Sequence, residues 1–171
     1  MFEPGALIVY GSTGICRVEE IAPRQQVGGT GQAMYYTLTP VFGCGTVYTP
    51  VDTKVFMRPV MTRQQADELL RRMPGMEECP CAMRDQRALA EHYRGLLHTY
   101  ECEVLVGMIK TIRAKSLAAA QRGKKLGKID QQYMKRAEEL LCDELSVALC
   151  QPKEQVKEYM ARQLCAASAA G

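Results

Sequence analysis

Two histidines, His92 and His98, and eight cysteines are the side chains of this 171-residue chain best suited to nucleophilic or metal chemistry. Cys79 and Cys81 flank Pro80 and, with either histidine, offer a nominal zinc set. Tetrahedral zinc sites take paired cysteines with about two to four residues between them and a second paired cluster. Here one residue intervenes and no second cluster follows, so no metal is expected. A Cys/His or Ser/His catalytic pair would need His92 or His98 beside a nucleophile, and nothing local marks such a place. The acidic pairs Glu77-Glu78, Glu138-Glu139 and Asp143-Glu144 are explained by helical charge pairing, as between Lys135 and Glu138 or Glu139. The expectation is a non-enzymatic protein with no cofactor and no small-molecule substrate.

The cationic residues carry more information. Net charge is only +3, but it is unevenly placed. Through residue 60, Arg17, Arg24, Lys54 and Arg58 are balanced by Glu3, Glu19, Glu20 and Asp52. Between Met108 and Arg136, nine basic residues (Lys110, Arg113, Lys115, Arg122, Lys124, Lys125, Lys128, Lys135 and Arg136) face Asp130 alone. Such segregation is the footprint of a surface for a polyanion, against the plainer reading of a solvated helical face. Lys124, Lys125 and Lys128 fall in a glycine-bearing loop just before a helix start, where free N–H groups and the helix dipole also favour phosphate. Lys135 and Arg136 follow one to two turns later, and Lys110 and Arg113, three apart, share a face of the preceding helix.

The elements that must hold these groups fall into two parts. Strand candidates at residues 7–10, 15–21, 35–39, 46–51 and 55–60 are rich in β-branched and aromatic residues. Gly11-Ser12-Thr13-Gly14 is a reversal, not a phosphate cradle, because no Lys-Ser/Thr or helix start follows it. Gly28-Gly29-Thr30-Gly31 links the second and third strands. Pro50 and Pro59 belong at an edge or strand end, since a central ladder needs their missing N–H. Five short antiparallel strands predict a small, curled, barrel-like sheet of the Tudor or SH3 type. Its expected core is Ile8, Tyr10, Ile15, Val18, Ile21, Leu38, Val47, Val51 and Phe56.

Beyond Val60 the period becomes helical. Thr62 and Gln65 form a capping box before the stripe Ala66, Leu69, Leu70 and Met73, which Pro74-Gly75 ends. Residues up to about 82 read as a loop. Further helices are predicted over 85–100, 101–121 and from Asp130, as the cap, to about 150. A fifth starts at Pro152 and frays from Ala166. The fold class is therefore α+β in two parts: a β-domain over residues 1–61 and an all-α bundle over 62–171. No apolar run approaches the ~20 residues of a membrane span, and Met-Phe-Glu-Pro is unlike a signal peptide. A cytoplasmic protein with reduced, dispersed cysteines and no membrane partner is expected.

The blocks GALIVYGSTGICRVEEI, YYTL, TVYTPVD and MRPV, in that order, resemble the amino-terminal domain of CarD-type bacterial transcription regulators. That domain is also the RNA-polymerase-interacting module of transcription-repair coupling factors. YMKRAEELLCDEL is the clearest similarity in the helical part. The resemblance implies a Tudor-like domain that adds its sheet edge to a strand of the RNA polymerase β-subunit lobe. It also implies a helical domain that contacts promoter DNA, weakly and through phosphates, to help form or hold the open complex. The polymerase-facing basic side chain corresponds to Arg24 and the edge strand to Thr46, Val47, Tyr48 and Thr49. Tyr48 stands where some relatives have a second basic residue, and Arg136 matches a basic contact of the fourth helix. Relatives place a tryptophan wedge at the start of the second helix; here Asp85-Gln86-Arg87 stands in that region and the chain has no Trp. Wedging is therefore not expected, while Arg84 and Arg87 remain available for phosphates. A protein-interaction adaptor with no nucleic-acid contact is the alternative.

Overall fold

The structure is a computed structural model and describes residues 1–26 and 28–169, the last three as backbone only. It divides into two compact units, Met1–Val60 and Met61–Gly171.

The first unit is a five-stranded antiparallel sheet, with β1 at Leu7–Tyr10, β2 at Gly14–Gln25, β3 at Gln32–Pro40, β4 at Val47–Pro50 and β5 at Met57–Pro59. The order β4-β3-β2-β1-β5 is a meander whose last strand returns alongside the first, as in a small SH3-like barrel. A single 3-10 turn, Gly11–Thr13, joins β1 to β2. Gly11 and Gly14 hold positive φ there (42° and 89°), a conformation that a side chain would strain. A bulge between Val18 and Glu20 adds local twist to β2. The link from β2 to β3 closes as a tight loop, with Gln26 N donating to Gly31 O at 3.0 Å. The two strands therefore run longer than their apolar residues indicate.

Ile8, Cys16, Val18, Tyr36 and Leu38 form the centre of this core, with Ile21, Val47 and Val51 packed against it. Phe56, expected inside, is 40% exposed. Successive residues of an extended chain point to opposite faces, and it is the neighbouring Met57 that turns to the core. Cys16 and Tyr36 supply volume that the sequence reading did not assign.

The second unit contains α1 at Arg63–Arg72, α2 at Gln86–Leu97, α3 at Cys102–Gln121, α4 at Lys128–Leu149 and α5 at Lys153–Ala169. The capping box forms: Thr62 Oγ1 accepts from Gln65 N at 3.2 Å and Gln65 Oε1 from Thr62 N at 2.8 Å. Asp85 caps α2 through Ala88 N at 2.9 Å. Val106, Met108, Ile109 and Ile112 of α3 are fully buried with Ala137, Leu141 and Leu145 of α4. Ala137, Leu141 and Leu145, four apart, share one stripe, whereas Val106 and Met108, two apart, point to nearly opposite sides of α3, whose middle is buried most of the way round. Residues 170–171, part of the expected frayed tail, lie outside the described residues, and the backbone is helical through Ala169. Among the described residues no helix is long and apolar enough to cross a membrane.

The stretch between α1 and α2, expected as a loop, is fastened along α3. Cys79 N donates to Thr111 Oγ1 at 2.8 Å, and that hydroxyl lies 3.0 Å from Cys79 O and 2.9 Å from Gly107 O. Glycine is needed at 107 because a Cβ would stand 2.8 Å from Cys79 Sγ and 3.1 Å from Glu77 O.

Candidate functional site

β4 is an edge strand with β3 as its one neighbour. Val51 N donates to Met34 O at 2.9 Å. Hydrogen-bonded pairs alternate along an antiparallel ladder, so Thr49 and Val47 also bond inward to β3 while Tyr48 and Pro50 face outward. The edge thus offers an incoming strand the N–H and C=O of Tyr48, while the C=O of Pro50 already accepts from Thr53 N at 3.1 Å. The other open edges alternate in the same way. In β5, Gly11 N to Phe56 O and Val60 N to Leu7 O turn Met57 and Pro59 outward. Past Val18, where no strand pairs with the outer side of β2, Gln26 N to Gly31 O turns Pro23 outward. Each open edge carries a proline where its missing N–H costs the internal ladder nothing. Such edges resist indiscriminate pairing.

Tyr48 lies opposite Thr37, on the face away from the core, since the next pair, Tyr36 and Thr49, is buried. Arg24 of β2 reaches the same face, and its guanidinium carbon sits 3.9 Å from the centre of the Tyr48 ring. This is a cation–π stack. Tyr35, between them in register, is buried. The two residues that the resemblance singles out separately are therefore one assembly. A stacking partner two strands away leaves no periodic signal; the remaining hint was an exposed aromatic at an edge position.

The basic residues of the helical unit separate into engaged and open groups. Lys110 Nζ donates to the carbonyls of Met73 (3.4 Å), Pro74 (3.0 Å) and Met76, tying off the end of α1. Lys115 Nζ binds Asp130 Oδ1 at 3.2 Å and the Tyr93 hydroxyl at 3.0 Å. Arg113 pairs with Glu138 at 3.4 Å, joining α3 to α4, and Arg136 with Glu139 at 3.8 Å. Lys124, Lys125, Lys128 and Lys135 are exposed, as are Arg84 and Arg87, the latter 3.9 Å from Glu91.

The loop bearing the open lysines has defined ends. Lys124 N donates to Ala119 O at 2.8 Å and Gly123 N to Ala120 O at 3.0 Å, with Gly123 at φ 67°. This is a Schellman close to α3. Gly127 then caps α4, which starts at Lys128; Asp130, expected as the cap, lies inside the first turn. Lysine at the positive end of a helix dipole is locally unfavourable, and a bound anion relieves it.

Asp130 also accepts from the Tyr93 hydroxyl at 2.6 Å. Burial first, then that hydrogen bond and the Asp130 charge, hold the Tyr93 phenol far above its ordinary pKa. No pattern pointed to this network, because its members come from three helices. Around Cys79 and Cys81, and elsewhere among the described residues, no three His, Cys, Asp or Glu side chains gather within reach of one ion.

Residues 2–61 match the family model of the CarD-like/TRCF RID domain. No curated protein matches the chain.

Proposed function

We propose, taking residues 2–61 as a CarD-like/TRCF RID domain, that this chain is a non-enzymatic transcription regulator whose partner is RNA polymerase. In this reading the β4 edge lends a strand to the lobe of the polymerase β subunit. The helical unit meets promoter DNA and influences open-complex formation. The single observation that carries the reading is the domain match coupled to an edge whose only outward donor is Tyr48 N–H. Strand addition draws affinity from main-chain bonds and specificity from neighbouring side chains, here Arg24 and Tyr48.

The nucleic-acid half is supported by Lys124, Lys125, Lys128 and Lys135, which stay open while Lys110 and Lys115 are occupied. Phosphate contacts need only charge and reach, so binding is weak and falls with salt. Co-elution of the full chain with purified polymerase, lost on Arg24→Glu, tests the first half. Filter binding of Lys124→Glu/Lys125→Glu to promoter DNA, with a shallower salt dependence, tests the second. Co-elution without any change in the second assay favours a protein-interaction adaptor. The absence of Trp and the engagement of four of the nine clustered cations support that alternative.

A further inference from the structure

We infer that Tyr48 is a positioning residue for Arg24, its ring holding the guanidinium while its main chain carries the one outward N–H of the β4 edge, so that main-chain pairing and side-chain recognition meet at a single residue. The inference rests on the polymerase reading above and specifies how that site is organised.

Two observations carry it. Tyr48 is 52% exposed on the outer face, so its ring contributes nothing to the core. Arg24 stacks on that ring at 3.9 Å, and among the described residues no hydrogen bond or ion pair engages its guanidinium. Stacking uses the flat face of the guanidinium and leaves its in-plane N–H fork unspent, which is the geometry that receives a carboxylate in two parallel bonds. A free arginine side chain sacrifices rotamer entropy on binding; one already laid on an aromatic ring has less to lose. Register puts Tyr48 N–H and C=O on the outer side of the strand that bears this ring. An extended segment pairing with Tyr48 therefore meets the residue whose ring holds the guanidinium. The matching partner is a strand that gives a carbonyl to Tyr48 N–H and carries an acidic side chain toward Arg24.

The test is a double-mutant cycle on the full chain, with purified RNA polymerase core enzyme as the probe. Tyr48→Phe keeps the ring and is expected to bind within about twofold of wild type. Tyr48→Leu is expected to weaken binding about three- to fivefold, the span that an exposed cation–π contact supports. Arg24→Gln/Tyr48→Leu should bind no more than about twofold weaker than Arg24→Gln, because a positioning residue has nothing left to position. In the free chain, the Arg24 Hδ NMR signals should lose their ring-current shift in Tyr48→Leu and keep it in Tyr48→Phe, at unchanged Tm. Wild-type affinity in Tyr48→Leu, or losses that multiply in the double variant, overturns the inference while leaving the polymerase reading intact. Failure of the wild-type chain to bind polymerase, with the ring-current shift present, overturns the polymerase reading and this inference with it.

Discussion

The Tyr93 hydroxyl donates to Asp130 Oδ1 at 2.6 Å, joining the buried face of α2 to the first turn of α4. Lys115 of α3 completes the group, so three helices meet at one carboxylate beside the cationic loop. Asp130→Ala would leave the Tyr93 phenol without its acceptor and the Lys115 ammonium without its counter-ion. A loss of about 2–3 kcal/mol is expected in urea denaturation. Asp130→Asn keeps an acceptor for Tyr93 and should cost roughly 1 kcal/mol.

Gly107→Ala is expected to lift the stretch around Cys79 from α3, because the added Cβ meets Cys79 Sγ and Glu77 O inside van der Waals contact. Destabilisation of about 1–3 kcal/mol should accompany it. Faster amide exchange at Cys79 reads the effect locally. Adding Cys79→Ala should recover part of the loss, since the sulfur is half of the clash.

Glu144 is buried, with Oε1 accepting from Met61 N at 3.0 Å and Oε2 from the Cys102 thiol at 3.1 Å. Glu144→Ala strands that amide and should cost about 2–3 kcal/mol. Glu144→Gln retains an acceptor and should cost less. A larger loss in Gln than in Ala, by thermal or urea denaturation, would contradict this account.

Burial pushes the Cys16 and Cys142 thiols above their ordinary value of 9.0. Tyr93 is likewise raised from 10.0 by burial and Asp130. On raising the pH the unfolded chain therefore loses these protons first. Their contribution is intact below the unfolded values and is lost as pH climbs from about 9 toward the folded ones, by at most about 1.4 kcal/mol per pH unit per group. Urea midpoints measured from about pH 7 to 10.5 should fall on the alkaline side, and Cys142→Ala should flatten that fall.

Pro23, Pro50 and Pro59 each occupy an outward register position. Replacing all three with Thr gives every open edge an unbroken row of donors. Self-association by size-exclusion chromatography is expected to rise, with the fold retained, because no internal ladder bond involves those positions.

Much of this architecture is written locally. The Thr62–Gln65 box and the α1 stripe of Ala66, Leu69, Leu70 and Met73 depend on contacts three or four residues apart, so residue order alone reveals them. Pro50 and Pro59 announced edges for the same reason, since a missing N–H is a property of the residue. Phe56 and Asp130 were misplaced by one strand step and by part of a helical turn, because a period tells that faces exist without counting where each begins. Other features depend on distant segments meeting. Lys110 is taken up by carbonyls more than thirty residues earlier, Lys115 by Asp130 across two helices, and Arg24 by a ring two strands away. Charge and aromaticity can be counted along a chain, whereas whether a cation is left free or held is settled by which elements pack beside it. That packing is chosen by burial of the apolar stripes, and the charged groups take whatever neighbours it leaves them.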